Sequence, residues 1–534
     1  MEYMKRRSLP LSATIAALAF ACTGQAGALE INTGNPDLTL RWDNTLRYNA
    51  GVRTSGQDPL IMNSRTYDES DGKFARGDVV TNRLDLLSEM DIVYRQNMGF
   101  RLSAAGWYDR AYDDRSVHTN PAIGGVSAYF GDTYSPITRR FYNGPSGEIL
   151  DAFAFGKFYV ADSPVNVKIG NHALVWGEGV LFGAHAISYA QAPSDGRKGA
   201  ANPGSETKEL TLPTGQLSFN SQVSENIAIA GEYFYQWRPN RLPEGGTFFA
   251  PSDTSGDGPQ RNQNTPRLAP LRPSDRGAWG ANMKWTLPDQ DANLGFYYRR
   301  YDERQPWTQT LPSGFRLVYA QDVTLYGLSF GQVIGGASVG AELSYRQNGA
   351  LNTSAVSAAD NQGARGDTIH AILNSTWGLA KNGLYDSATL VAEMAFSHLQ
   401  KVTVHPELFR GEGYSGCAVG QDYRNGCATT NFVGAAVNFT PQWFSVMPSV
   451  DLSLPVSLNY GLKGNGATLS GGNQRTVTGA FGLTALFSQL HELTLRYARS
   501  HATSIDNGTV VTSGNGNYGV NDRGWISLTF KTQL

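Results

Sequence analysis

The sequence predicts an all-β chain closed into a transmembrane outer-membrane barrel of about 16–18 antiparallel strands, with one segment turned into the lumen. Three observations carry the prediction. Long runs alternate apolar and charged residues with period two, the connections alternate long and short, and no apolar run beyond residue 28 suits a membrane helix. Composition agrees: 60 glycines, 25 tyrosines and 24 phenylalanines accompany only 17% charged residues. A net charge of −2 offers no basic surplus for nucleic acid.

Residues 1–28 read as a secretory signal peptide, with basic Lys5, Arg6 and Arg7, a short apolar core and the A-x-A site Ala26-Gly27-Ala28. Residues 29–534 form the barrel. Cys22 sits in a poor lipobox, so lipidation is not expected.

The first strand is read over 38–52. The clearest hairpin follows, on either side of Gln96-Asn97. Leu84, Leu86, Met90, Ile92 and Tyr94 share one face of its first arm, and Arg83, Asp85, Glu89, Asp91 and Arg95 the other. Met98, Phe100, Leu102, Ala104 and Tyr108 oppose Arg101, Ser103, Ala105 and Asp109 on the second. Side chains alternate across a strand, so each arm has an apolar and a charged face. Both arms exceed the roughly 9–11 residues that a tilted strand needs to cross a bilayer. Further strands are expected at 150–160, 165–172, 216–223, 227–237, 278–287, 292–301, 318–331 and 337–346. The set ends with 366–377, 388–399, 430–440, 446–459 (after a turn at Pro441-Gln442), 476–488, 491–500 and 523–534. Long outer loops and tight periplasmic turns are the asymmetry of an outer-membrane barrel. Trp42, Tyr94, Trp237, Trp285, Tyr345 and Tyr497 fall near strand ends, where interfacial aromatic girdles form.

Charges on the strands' polar faces are assigned to the lumen: Arg41, Asp43, Arg47, Arg83, Asp85, Glu89, Asp91, Arg101, Glu342, Arg346 and Glu393. Both signs interleave, which suits a salt-bridge mesh better than an ion-selective field. Cys417 and Cys427 stand in a glycine-rich outer loop and are expected to form a disulfide in an oxidising compartment. The run Asp253 to Gly258 has half the spacing of a calcium loop, but Asn264 replaces its terminal Glu, so a polar turn is expected. No H-E-x-x-H is present, and neither enzymatic activity nor a cofactor is expected.

Residues 173–212 break the rhythm, being too long, too apolar and too rich in small residues for an exposed loop. Leu174, Trp176, Leu181, Phe182 and Tyr189 would be badly placed in water, so the segment is expected to fold inward as a constriction or plug. His172, Glu178, Lys208 and Glu209 would then meet the lumen charges of strands one to three. A folded lid over the barrel mouth is the plainer alternative.

Gly170-Asn171-His172, Trp176-Gly177-Glu178, Pro203-Gly204-Ser205-Glu206 and Lys208-Glu209 resemble a large proteobacterial family defined by a domain of unknown function. So do YFYQWRPNRLPEGGTFF (233–249), DVTLYGLSF (322–330) and AELSYR (341–346). The resemblance implies an outer-membrane barrel in contact with lipid and lipopolysaccharide. It further implies genes set beside a periplasmic or lipoprotein-like partner and an inner-membrane RND-type permease, hence a trans-envelope route for a hydrophobic or amphiphilic small molecule. It carries no catalytic residues. A stand-alone diffusion porin and a structural or adhesive barrel are the alternatives.

Overall fold

The computed structural model describes residues 29–534; the expected signal peptide and Cys22 lie outside them. The chain forms a closed antiparallel barrel of 18 strands. These are β1 Leu38–Arg53, β2 Val79–Tyr94, β3 Met98–Asp109, β4 Ser146–Val160, β5 Ser163–His172 and β6 Thr214–Gln222. Next come β7 Ile227–Phe234, β8 Trp279–Leu287, β9 Ala292–Tyr301, β10 Val323–Ile334, β11 Ala337–Ala350 and β12 Arg365–Leu379. The last six are β13 Ser387–Val404, β14 Asn431–Met447, β15 in two segments (Val450–Ser453 and Val456–Lys463), β16 Val477–Phe487, β17 His491–His501 and β18 Trp525–Gln533. Each strand pairs with the next, and β18 closes on β1, setting Thr45 against Gln533 and Arg53 against Trp525. A short strand, Leu29–Ile31, pairs with Leu40–Trp42 and occupies the length of β1 that β18 leaves free. Closure leaves no long run of unpaired backbone at the seam.

The alternation in the sequence becomes inside against outside. Leu84, Leu86, Phe100, Ile169, Leu217, Phe296, Leu343, Leu373, Met394, Phe481 and Leu495 are exposed on outward positions, forming an apolar belt around the barrel. A belt of that extent is stable only in contact with hydrocarbon. The chain is therefore an integral protein of the bacterial outer membrane. Tyr233, Trp279, Tyr298, Tyr326 and Tyr345 mark one rim of the belt on five consecutive strands, β7 to β11. Trp42, Tyr94 and Trp285 are exposed near the opposite ends of their strands, as expected. Trp237 is not in a girdle: β7 ends at Phe234, and the indole is buried against Tyr319 with ring centroids 4.7 Å apart.

The expected turn at Pro441-Gln442 is also absent. β14 runs on to Met447, with Pro441 opposite Ala388 and Gln442 opposite Ser387. The proline is tolerated because β15 breaks at the same level, between Ser453 and Val456, where Pro455 stands. Two residues without an N–H are thus gathered into one irregularity, and the Leu454 N–H donates to the Pro441 carbonyl at 3.0 Å. The strand expected from 318 begins at Val323, because Gly314–Val318 pairs with Trp307–Leu311 in a separate loop hairpin.

Outside the membrane, residues 54–78, 110–145 and 235–278 pack over the mouth on a core of Phe74, Tyr112, Tyr129, Tyr134, Tyr142 and Phe248. Arg53 reaches from β1 into this cap and bonds Asp71 at 2.7 Å. Cys417 and Cys427 form a disulfide with Cα atoms 5.9 Å apart. Asp253 accepts from the Ser70 N–H at 2.8 Å and from the Ser70 hydroxyl, so the first residue of the half-spaced calcium run makes a contact within the cap.

Candidate functional site

A chain that leaves a sheet and crosses an aqueous lumen without regular structure has backbone donors and acceptors to satisfy. Residues 173–213, between β5 and β6, satisfy theirs with charged side chains on the inward positions of distant strands. Glu393 on β13 accepts from the N–H groups of Val180 (2.6 Å), Leu181 (2.9 Å) and Phe182 (2.5 Å). Glu342 on β11 accepts from Gly179 and Ile187, each at 2.7 Å, and from Glu178. The carbonyls are served by cations. Arg346 donates to Ala184 (2.8 Å) and Ala186 (3.0 Å), and Arg299 on β9 to Ile187 (3.0 Å) and Tyr189 (2.8 Å). Asn374 on β12 donates to the Glu178 carbonyl at 2.6 Å. Charge-assisted bonds of this kind are roughly twice as strong as neutral ones.

Apolar side chains of the same limb land where the strands carry no side chain. Trp176 lies over Gly280, where an added Cβ would come within 2.9 Å of its ring; Ile187 lies over Gly327 and Phe182 over Gly434 in the same way. Trp176 and Ile187 are buried with Tyr297, Tyr301, Val323 and Leu325. Val175 and Val180 of this limb, by contrast, are 62% and 58% exposed.

The return limb holds two short helices, α1 Gly196–Ala201 and α2 Thr207–Leu210, docked on the opposite wall. Glu209 makes a two-pronged pair with Arg47 of β1, both bonds 2.9 Å. Lys208 meets Glu89 of β2 and, at 3.2 Å, Glu206; Lys198 meets Glu148 of β4 at 3.0 Å. Asn202 donates to Asp85 at 3.0 Å, and Asp85 also holds Arg83 at 3.0 Å. The segment thus sweeps out to β11–β14 and back to β1–β4 before entering β6. We call it the crosspiece.

That path explains two departures from expectation. His172 and Glu178 do not meet the charges of strands one to three. His172 ends β5 with its ring on Ser218 of β6 (2.7 Å) and beside Phe153, and Glu178 lies on the outgoing limb, 3.9 Å from Lys284 of β8. Arg41 and Asp43 pair with each other at 3.0 Å, solvent-exposed and apart from the crosspiece. Arg101 bridges Glu89, Asp91 (2.8 Å) and, at 3.7 Å, Asp151.

Two cavities flank the crosspiece. One of about 460 Å³ is lined by Asp91, Arg101, Phe153, Lys168, His172 and Lys208, and one of about 260 Å³ lies between Ala200 and Phe249 and the strand residues Ser457, Ala480, Arg496 and Ala498. The sequence reading missed Glu232 and Arg299, which pair at 3.2 Å beneath Trp176, although both fall on inward positions of strands it had placed. The same parity rule would have found them. His185, whose Nδ1 lies 2.9 Å from Nδ1 of His370, carries no such signal, because no strand periodicity governs the crosspiece. The sequence also contains two G-x-S-x-G spellings, Gly327 to Gly331 and Gly336 to Gly340. The first lies flat within β10, with Ser329 bonded to the Tyr297 hydroxyl at 3.0 Å, and the second runs into the start of β11, where Ser338 pairs with Val333 and Thr376. Neither stands on the strand-to-helix turn that presents a nucleophile.

A family model described as "Protein of unknown function (DUF1302)" matches residues 9–534. Among curated proteins, none matches the chain. Solved structures with a similar course include OccK1 (OpdK) of Pseudomonas aeruginosa, at 11% identity and a TM-score of 0.41 over 93% of this chain and 98% of that one. A BenF-like porin from Pseudomonas fluorescens Pf-5 gives 10% identity and a TM-score of 0.41 over 93% and 98%. OccAB4 of Acinetobacter baumannii gives 11% and 0.43 over 94% and 100%.

Proposed function

We propose that this chain, which belongs to the family described as Protein of unknown function (DUF1302), is an outer-membrane channel for a hydrophobic or amphiphilic small molecule, with the crosspiece as its constriction. The observation that carries this reading is the crosspiece itself: a segment tied to both walls of the lumen that still turns Val175 and Val180 toward open space. Apolar surface held in a passage costs free energy unless something apolar uses it. Most lumen charges, of both signs, are spent on backbone and on each other, which disfavours a strong single-sign field to select ions. We further place the barrel at the outer end of a trans-envelope route with a periplasmic or lipoprotein-like partner and an inner-membrane RND-type permease, on the resemblance of its Trp176-Gly177-Glu178 block.

The test is single-channel recording in planar bilayers with residues 178–186 replaced by a Gly-Ser linker of equal length. Conductance is expected to rise severalfold; unchanged conductance sinks the constriction reading. A detergent pull-down of the tagged barrel tests the route. Recovery of a permease or periplasmic partner supports it, and a barrel recovered alone favours an independent diffusion channel.

A further inference from the structure

The barrel wall is incomplete at one place. β4 pairs with β3 up to Ser146, but its pairing with β5 starts only at Ala152, opposite Asn171, because the chain turns into the lumen after His172. The upper end of β4 therefore lacks a strand neighbour on that side, and loop residues cover the gap. A cavity of about 850 Å³ lies there. Its lining combines inward residues (Ala105, Glu148, Leu212) with outward ones: Ala104 and Ile149, directly opposite each other, the latter 59% exposed on the lipid-facing side. The cavity therefore lies at the unpaired edge of the sheet, where residues of both faces meet.

The chemistry of the lining is equally uneven. Arg197 and Arg241 have carboxylate partners, Glu244 and Asp257 for the first, Glu148 and Asp195 for the second. Arg140 and Arg238 have none within 4.0 Å among the described residues: the exposed Arg140 reaches the Gly147 carbonyl at 3.3 Å and lies over the Phe141 ring, and the half-buried Arg238 reaches the Pro213 carbonyl at 3.3 Å. Burial and the neighbouring Arg241 press Arg238 below its ordinary pKa, so its charge is costly where it stands. Ile137, Phe141, Leu212 and Pro239 supply apolar wall to the same cavity.

The geometry points to a lateral portal that binds a single-chain anionic amphiphile, its acidic head on Arg140 and Arg238 and its chain leaving past Ile137, Ala104 and Ile149 toward the lipid. The inference rests on the barrel being a channel for such molecules and specifies the cargo's charge and its path through the wall. A neutral apolar cargo would leave both arginines unused.

The test uses the full barrel in neutral phosphatidylcholine nanodiscs with a diazirine analogue of palmitate, photolysed and mapped by peptide mass spectrometry. Label is expected on the peptides spanning 137–149 and 238–241, displaced by palmitate but not by acetate. Arg140→Gln with Arg238→Gln should weaken labelling at least about tenfold, the worth of one charge-assisted bond. Ile149→Trp, which closes the lip from outside, should do the same, and heat-modifiable migration in gels confirms that both variants fold. Label spread evenly over the belt, equal displacement by acetate, or indifference to both variants overturns the proposal. Conductance of the crosspiece replacement is read on the same preparation. A failed portal leaves that effect intact, whereas a failed channel reading removes it.

Discussion

At the scale of single residues, the lumen charges act chiefly as backbone partners. Glu393 is the clearest case, a carboxylate on β13 holding three consecutive N–H groups of a segment more than two hundred positions earlier in the chain. Truncation to alanine leaves three donors without acceptors in a confined lumen, a loss of roughly 3–5 kcal/mol at that point. Glu393→Ala is expected to loosen residues 180–182 and to give a larger, noisier open level in planar bilayers. Glu393→Gln, which keeps one oxygen acceptor, should give an intermediate trace. Equal traces for wild type and the alanine variant would show that the crosspiece stands without this anchor.

Among elements, periodicity made the strands legible and irregular loops hid the rest. The hairpin of β2 and β3 was readable to within a few residues because apolar and charged side chains alternate from Leu84 to Arg95 with only Leu87, Ser88 and Val93 out of phase. The turn misplaced at Pro441 failed for a tertiary reason: whether a proline ends a strand depends on what its neighbour offers, and β15 breaks opposite it. The outer loop 405–430 was legible only through its cysteines. Its disulfide closes a sequence separation of 10 residues, and the chain-entropy estimate for so short a loop is about 2–3 kcal/mol. Reduction or Cys417→Ser should speed protease cleavage between residues 411 and 427 without changing the heat-modifiable migration of the barrel. A coincident loss of both would show that the loop supports the barrel itself.

For the whole molecule, the cap over the mouth adds a dependence on pH. Glu69 is buried in it, accepts from the Ala128 N–H at 2.7 Å and lies with Asp68 and Asp253, whose own carboxyls burial also pushes up. Burial is the largest cause of its shift from 4.5 to about 7. A carboxyl whose pKa is raised on closure takes up a proton as the cap closes, so closure is strongest below about pH 4.5 and weakens as pH rises to about 7. Amide protection factors in residues 64–71 and 126–130, corrected for the base-catalysed intrinsic rate, are expected to be lower at pH 8 than at pH 5.5, with Glu69→Gln flattening the difference. A profile that the glutamine variant leaves unchanged assigns the effect to another group.

What the sequence determined by itself is the barrel. Strand alternation, loop asymmetry and inward charge are local patterns, each written in neighbouring residues, and a closed sheet in lipid has few other ways to satisfy its backbone. Only the tertiary structure decided the route of the crosspiece, the pairing of Glu393 and Glu342 with its amides, and the gap beside β4. Those features join residues hundreds of positions apart, through contacts that no local period encodes.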